Sequence, residues 1–259
     1  MAGLPEPLLS RIEDAGLNAS AVPQQRWLDG WLLRCSPGKI KRGRCINALA
    51  EGRLALDERL ALAQAAYLQA GLPTMFRLTP FTRPAALEAE LAARGFAAED
   101  DTRVMVRSTL VGLRLPPLPG GLQWRPLDAA AFAAAVGALR GSPPDHRRVH
   151  AERLALSPVP YRALAIARAD SGELLCCGQA AREGALVGLY DVHTAPQARG
   201  QGLAGFLCER LLSESVSGGA ELAYLQVDAV NAGARAVYRR LGFADAYAYH
   251  YRIAPAGAG

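Results

Sequence analysis

The chain has 259 residues, 51% hydrophobic and 20% charged, with a formal net charge of +5 and a sequence pI near 9.1. That length suits one large domain or two small ones with ample apolar content for a core. No run of about 18 apolar residues occurs, which argues against a transmembrane helix, and the mild basicity favours anionic ligands without naming one.

The first residues carry acids and prolines rather than a basic-then-apolar signal pattern, so a soluble, cytoplasmic protein is expected. Five cysteines is an odd count and none has zinc-ligand spacing, so no metal site is expected. Cys176 and Cys177 are adjacent and are expected to face opposite sides of a strand as reduced core residues. Trp27 and Trp31 stand four residues apart in a segment that ends on Arg34, and core packing is the plain reading. The basic run Lys39, Lys41, Arg42 and Arg44 reads as a solvated hairpin. No interleaved aromatic platform supports nucleic-acid binding there. Residues 55–70 are helix-like, and Phe76-Arg77-Leu78 opens a strand. Leu113 to Leu122 holds three prolines and two glycines and reads as a linker, because proline fits neither a helix interior nor a central strand. The expected division is residues 1–112, a linker at 113–121, and residues 122–259.

The second half has a regular order. A strand is expected at Leu122–Leu127, then an alanine-rich helix capped by Asp128, a helix near Pro144–Leu156, and strands at Tyr161–Arg168 and Leu174–Arg182 around the Asp170-Ser171-Gly172 turn. A strand at Val187–Thr194, a helix from Leu203, a strand at Ala223–Val227, a helix at Ala232–Leu241 stopped by Gly242, and a strand at Ala246–Ile253 follow. The order is β-α-α-β-β-β-α-β-α-β, a mixed α/β sheet.

A repeat lies beneath this pattern. Residues 91–96 (LAARGF) resemble 238–243 (YRRLGF), an offset of 147 that also lays 76–78 on 223–225 and 55–70 on 202–217. The first half therefore reads as a diverged copy of the same βαβα unit. It lacks the polar groups of the second: Gly52-Arg53-Leu54-Ala55 falls on the glycine loop, Pro84 on Asn231, and Leu91 on Tyr238.

The loop itself is Arg199-Gly200-Gln201-Gly202-Leu203-Ala204, between a strand and a helix. A small-residue loop that opens a helix leaves N–H groups free at the positive end of the helix dipole, a cradle for phosphate oxygens. Asn231 follows the next strand, and Tyr238 lies seven residues on. With Pro196 before Arg199, and Gly242-Phe243 after Tyr238, residues 122–253 resemble the GNAT superfamily of acyl-CoA N-acyltransferases. Arg199-x-x-Gly202-x-Ala204 fits that family's first motif; a second register, Gln197-x-x-Gly200-x-Gly202, places Pro196 and Thr194 less well.

The resemblance implies an acetyl-CoA-dependent N-acetyltransferase with a GNAT-like mixed sheet flanked by helices, duplicated with a degenerate first half. It implies that Arg199, Gly200, Gln201, Gly202, Leu203, Ala204 and Gly205 hold the pyrophosphate of acetyl-CoA. Val192, His193 and Thr194 would offer backbone groups to the pantetheine and the thioester carbonyl, and Asn231, also a natural helix N-cap, would bond the pantetheine arm. Tyr238 would protonate the departing thiolate. A glutamate that serves as base in some members is replaced by Gln226, which leaves Asp191, His193, Asp228 or a bound water to take the amine proton; Asp191 is the catalytic candidate carried forward with Tyr238. Trp31 and Arg34 are candidates to line an acceptor pocket. The expected partners are acetyl-CoA and a primary amine of a small molecule or protein, with no membrane or nucleic acid; a homodimer is compatible with the sequence. The competing reading is a regulatory protein that binds acyl-CoA without turnover. Cys208 lies too far into its helix for the dipole to activate it as a nucleophile.

Overall fold

A computed structural model describes residues 4–38, 40–113, 115 and 117–255. Lys39 of the basic run, Arg114 and Pro116 of the linker, residues 1–3 of the first expected domain and residues 256–259 of the second lie outside the described residues.

The described residues form helices α1 (Glu6–Ala19), α2 (Leu56–Gln69), α3 (Leu87–Ala93), α4 (Ala129–Leu139), α5 (Pro144–Ala155), α6 (Leu203–Ser217) and α7 (Ala232–Arg240). The strands are β1 (Gln25–Leu28), β2 (Trp31–Arg34), β3 (Ile46–Ala48), β4 (Met75–Leu78), β5 (Ala97–Arg107), β6 (Leu122–Leu127), β7 (Tyr161–Arg168), β8 (Leu174–Glu183), β9 (Leu186–Thr194), β10 (Leu222–Asp228) and β11 (Ala244–Ile253). All ten elements expected in the second half are present. Among the described residues no helix is long and apolar enough to cross a membrane.

Two compact units emerge. The first joins residues 1–21, 104–227 and 231–246, and its strands run in the order β5-β10-β9-β8-β7-β6. Strands β6 to β9 pair antiparallel in sequence, and β9 pairs parallel with β10. Helix α6 places Leu203, Leu207, Leu211 and Leu212 at helical spacing, so one apolar stripe packs on Val187, Leu189, Leu225 and Val227. Phe132 and Val136 of α4 cover Ala163, Ala165 and Cys177 on a separate cluster. Cys176 belongs to the α6 cluster and Cys177 to the α4 cluster, the opposed orientation that adjacent strand residues require. All five cysteines are free.

The second unit joins residues 22–103, 228–230 and 247 onward, with strand order β1-β2-β3-β4-β11. Here β3 pairs parallel with β4, and β11 pairs antiparallel with β4 through His250↔Leu78 to Ile253↔Met75. Its core is built on Trp31, Leu33, Ile46, Phe76, Leu60, Tyr67, Leu87 and Leu91.

The 147-residue offset aligns whole elements. It carries α2 onto α6, β4 onto β10 and β5 onto β11 with coinciding starts, and α3 onto α7 with starts two residues apart. The parallel pairs β3/β4 and β9/β10 correspond as well. The last strand of each repeat, however, serves the other repeat's sheet: β11 pairs with β4, and β5 neighbours β10. The compact units thus differ from the linear division 1–112 and 122–259. Helix α1 belongs with the second repeat, where Asn18 Nδ2 donates to Glu183 at 2.9 Å and the Tyr161 hydroxyl donates to the Ala19 carbonyl.

Candidate active site

The α6 loop begins with a 3-10 turn at Pro196–Ala198, and Arg199 is extended (φ −67°, ψ 156°). Gly200 and Gly202 take φ of +78° and +75°, the left-handed region that a side chain disfavours. Gly202 is the N-cap of α6 and offers no side chain to the helix start. The N–H groups of residues 200–204 have no hydrogen-bond partner among the described residues. A Cβ on Gly200 or on Gly205 would meet nothing within 4 Å, so the space in front of the loop is open. Five unpaired N–H groups at a helix dipole's positive end, with no acid in the first turn, fit an anion of pyrophosphate size. Gly205 departs from expectation: its N–H donates to the Gly202 carbonyl at 2.9 Å and belongs to the helix. The Arg199 guanidinium folds back, its Nε 3.4 Å from the Thr194 carbonyl.

Strands β9 and β10 pair only from Leu186↔Leu222 to Leu189↔Leu225, although β9 runs on to Thr194 and β10 to Asp228. Past that point the register of β9 with β10 ends, and the parted strands make a slot for an amide-bearing chain. On its other edge β9 is bulged. Cys177 opposes His193 and Gln179 opposes Tyr190, so Asp191 and Val192 together face Gly178. Asp191 takes φ +52° to make the bulge. The bulge resets the side-chain alternation: Val187 and Leu189 point to α6, as does Val192 after it. Thr194 also lies on that side, its Oγ1 3.3 Å from Cys176 Sγ. Asp191 and His193 therefore share the α4/α5 side.

Tyr238 on α7 packs half-buried against the α6 cluster, edge-on to Phe243 at 6.1 Å. Burial raises its pKa well above the phenol range, helped by nearby Cys208 and Cys176, so the hydroxyl keeps its proton. That hydroxyl has no hydrogen-bond partner among the described residues. Asn231 caps α7, its Oδ1 accepting from Ala234 N at 3.1 Å while its amide nitrogen stays at the surface.

Asp191 is fully engaged. It accepts from Arg140 Nη1 at 3.0 Å and from Gln179 Nε2 at 3.0 Å, and His150 Nε2 lies 3.4 Å away. Its burial would raise its pKa, but His150, Arg140 and Arg153 together drive the carboxyl far below the usual range. A carboxylate so stabilised is a poor proton acceptor, which argues against Asp191 as the base. His193 stands beside it on the same side of β9. Burial first, then the charges of Arg140 and Arg199, lower its pKa below the ordinary histidine value, so the ring is neutral near pH 7. Asp228 is exposed and accepts from Val230 N at 3.1 Å, an ordinary turn contact. Arg140 and Gln179 are the parts that sequence reading missed. Gln179 carried a signal, as a lone amide inside the apolar run 174–181; Arg140, at a helix end, carried none.

The second unit corrects the acceptor-pocket expectation. Trp31 is fully buried, edge-on to Phe76 at 5.0 Å and beneath Arg59. Arg34 is buried as well, with Nε 3.2 Å from Gln25 Oε1 and its carbonyl accepting from Tyr67 at 2.8 Å. Both are core, because β2 is buried along its whole length; Trp27, across the Asp29-Gly30 turn, is exposed. The basic run lies, as expected, in the hairpin connection between the antiparallel strands β2 and β3, but it is not freely solvated. Residues 41–43 form a 3-10 turn, and Lys41 is held between Glu99 and Asp100 at 2.7 Å each.

The sequence matches the family described as "Probable histone acetyltransferase Rv0428c C-terminal" over residues 9–252. No curated protein matches it. Among solved structures it is similar to a GCN5-related N-acetyltransferase from Kribbella flavida, at 18% identity over 99% of this chain and 98% of that one, with a TM-score of 0.69. A tandem GNAT protein from the clavulanic acid biosynthesis pathway matches at 15% identity over 83% of this chain and 75% of that one, TM-score 0.67. A GCN5-related N-acetyltransferase from Sphaerobacter thermophilus matches at 21% over 76% and 63%, TM-score 0.57. Likeness at these identities establishes the fold, a GNAT mixed sheet in tandem.

Proposed function

Because the chain belongs to the Rv0428c C-terminal family of GNAT-fold acetyltransferases, we propose that it transfers an acetyl group from acetyl-CoA to a primary amine within a ternary complex. The observation that carries this reading is the parting of β9 from β10 beyond Leu189 and Leu225, with Tyr238 on one side of the slot and His193 on the other. In this reading the N–H groups of residues 200–204 hold the pyrophosphate, and Arg199 adds attraction. Backbone groups of Val192, His193 and Thr194 pair with the pantetheine and polarise the thioester carbonyl, and the Asn231 amide bonds the pantetheine arm. Tyr238 protonates the sulfur as it leaves, a role suited to a hydroxyl that holds its proton and has no other partner.

The catalytic work falls to the second repeat, and the first is a degenerate copy with a structural role. The acceptor is an amine of a small molecule or of a protein; the family's description names histones, and a lysine side chain is one member of that class. The test is acetyl transfer to a panel of lysine peptides, polyamines and aminoglycosides, with acetyl-CoA binding measured by calorimetry. Turnover on any of them that Tyr238→Phe abolishes, with binding retained, supports the enzyme. Tight acetyl-CoA binding with no transfer to any acceptor would favour a regulatory acyl-CoA sensor.

A further inference from the structure

Resting on that reading, we propose that His193 is the group that takes the proton from the acceptor amine, and that the Arg140–Asp191 ion pair at the β9 bulge is its positioning device. The geometry separates two sides of β9. Thr194, Cys176 and Tyr238 lie with α6 and α7. His193 lies with α4, opposite Cys177, whose side chain packs on Phe132 and Val136. The group that protonates the sulfur and the group that deprotonates the nitrogen must approach the thioester carbon from different directions. The bulge supplies this, since without the extra residue His193 would follow Val187 and Leu189 onto the α6 side.

His193 follows the bulge on the same side of β9 as Asp191, and a neutral imidazole always offers one ring nitrogen as a proton acceptor. The charged groups that bear on the ring are Arg140 from α4, Arg199 from the loop, and Asp191 from its own strand. His150 and Arg153 from α5 act on Asp191, and β8 presents Cys177. Arg140 is shared: it bonds Asp191 at 3.0 Å and its charge disfavours imidazolium. Asp191 therefore places Arg140 beside His193 and is not itself the acceptor.

The proton and electron count closes. The acceptor ammonium gives one proton to His193, and its freed lone pair forms the C–N bond. The C–S bond breaks with its electrons on sulfur, which takes the Tyr238 proton. The nitrogen loses its second proton to water, water reprotonates Tyr238, and His193 returns its proton to solvent.

The experiment uses the full chain with acetyl-CoA and the best acceptor of the panel above, with pH profiles of kcat and kcat/KM. His193→Gln, which cannot accept a proton, is expected to lower kcat by about 100-fold, to leave the acetyl-CoA dissociation constant within about twofold, and to recover rate as rising pH deprotonates the amine unaided. Arg140→Gln is expected to move the acid limb of the profile to higher pH by about half a unit or more, because it removes a cation that disfavours imidazolium. A His193→Gln enzyme within about threefold of wild type, or an acid limb that Arg140→Gln leaves in place, would overturn the inference while acetyl transfer itself stood. A wild type that transfers to no acceptor overturns the functional reading and this inference together.

Discussion

The starts of α6 and α2 hold equivalent places in the two repeats and treat their backbone N–H groups in opposite ways. At α6 the loop is Arg199-Gly200-Gln201-Gly202, and the N–H groups of residues 200–204 are left open. At α2 the corresponding residues are Gly52-Arg53-Leu54-Ala55. There Asp29 Oδ2 accepts from Arg53 N at 2.7 Å and Leu54 N at 2.8 Å, with Arg59 Nε 3.9 Å away. These contacts, that of Leu54 foremost, lower the Asp29 pKa. The first repeat thus keeps the anion preference of a helix start and fills it with a carboxylate of its own chain. A Cβ on Gly52 would come within 2.2 Å of Arg59 Nη1, so no space remains there.

The same contrast recurs one helix later. Asn231 caps α7 with its side chain, and Tyr238 stands on that helix with a free hydroxyl. At the equivalent positions Pro84 has no side-chain acceptor, and Leu91 is fully buried in the core. Helix α3 runs seven residues where α7 runs nine. At these two positions the first repeat carries a proline and a core leucine in place of the polar side chains, as a repeat kept for its sheet and not for a site would.

The largest effect that would sharpen this contrast is at Tyr238. Tyr238→Phe is expected to lower kcat by about 10²-fold to 10⁴-fold with little change in acetyl-CoA affinity, whereas Leu91→Met, a volume-conserving change at the matching position, is expected to leave kcat alone. Next comes Gly200→Asp, which gives the α6 loop the carboxylate that the α2 loop already has. Aspartate tolerates the left-handed backbone, and a negative charge near the cradle is expected to weaken acetyl-CoA binding by about 100-fold, since like charges a few ångströms apart at a protein surface repel strongly. Calorimetric affinity within a few fold of wild type would break the contrast.

A smaller effect is expected at Asp29. Asp29→Asn removes the resident anion and is expected to lower the melting temperature by about 2–4 °C at pH 7 with acetyl-CoA affinity unchanged. A carboxyl whose pKa falls on folding stabilises the fold above its unfolded value, and that contribution disappears as pH drops through the folded value. The melting gap between wild type and variant is therefore expected to be full at neutral pH and to close as pH falls below the ordinary aspartate value of 3.8. A gap independent of pH would mean that the carboxylate charge is not what fills the α2 loop. The smallest effect concerns Lys41. Because Glu99 and Asp100 already hold it, Lys41→Gln is expected to leave retention on a DNA column unchanged at every salt concentration.

The reading of the second half from sequence held where the determinants are local. Gly200 and Gly202 are legible because a positive φ leaves few other choices. Asn231 and Gly242 mark the two ends of α7, and the repeat offset follows from short segments whose helix and strand periods match. The strand exchange was not legible, because β11 and β5 carry no mark of which neighbour they join; pairing over such sequence distances is decided by the assembled sheet. Trp31 is core, as its plain reading had it, but Arg34 was not legible as core because β2 is buried on both faces, and a four-residue strand has no alternation to betray it.

The sequence by itself determined the two repeats, the open loop at Arg199 to Ala204, the tyrosine and the asparagine, since each rests on backbone conformation or spacing within one segment. Only the tertiary structure decided what surrounds them. One extra residue in β9 at Asp191 turned the strand's later side chains over, and Arg140 at the end of α4 and His150 from α5 hold that aspartate as an ion-pair anchor, with the charge of Arg153 acting on it as well. Charge and burial are properties of neighbours in space, so the proton chemistry of this site could be written only after the helices had packed.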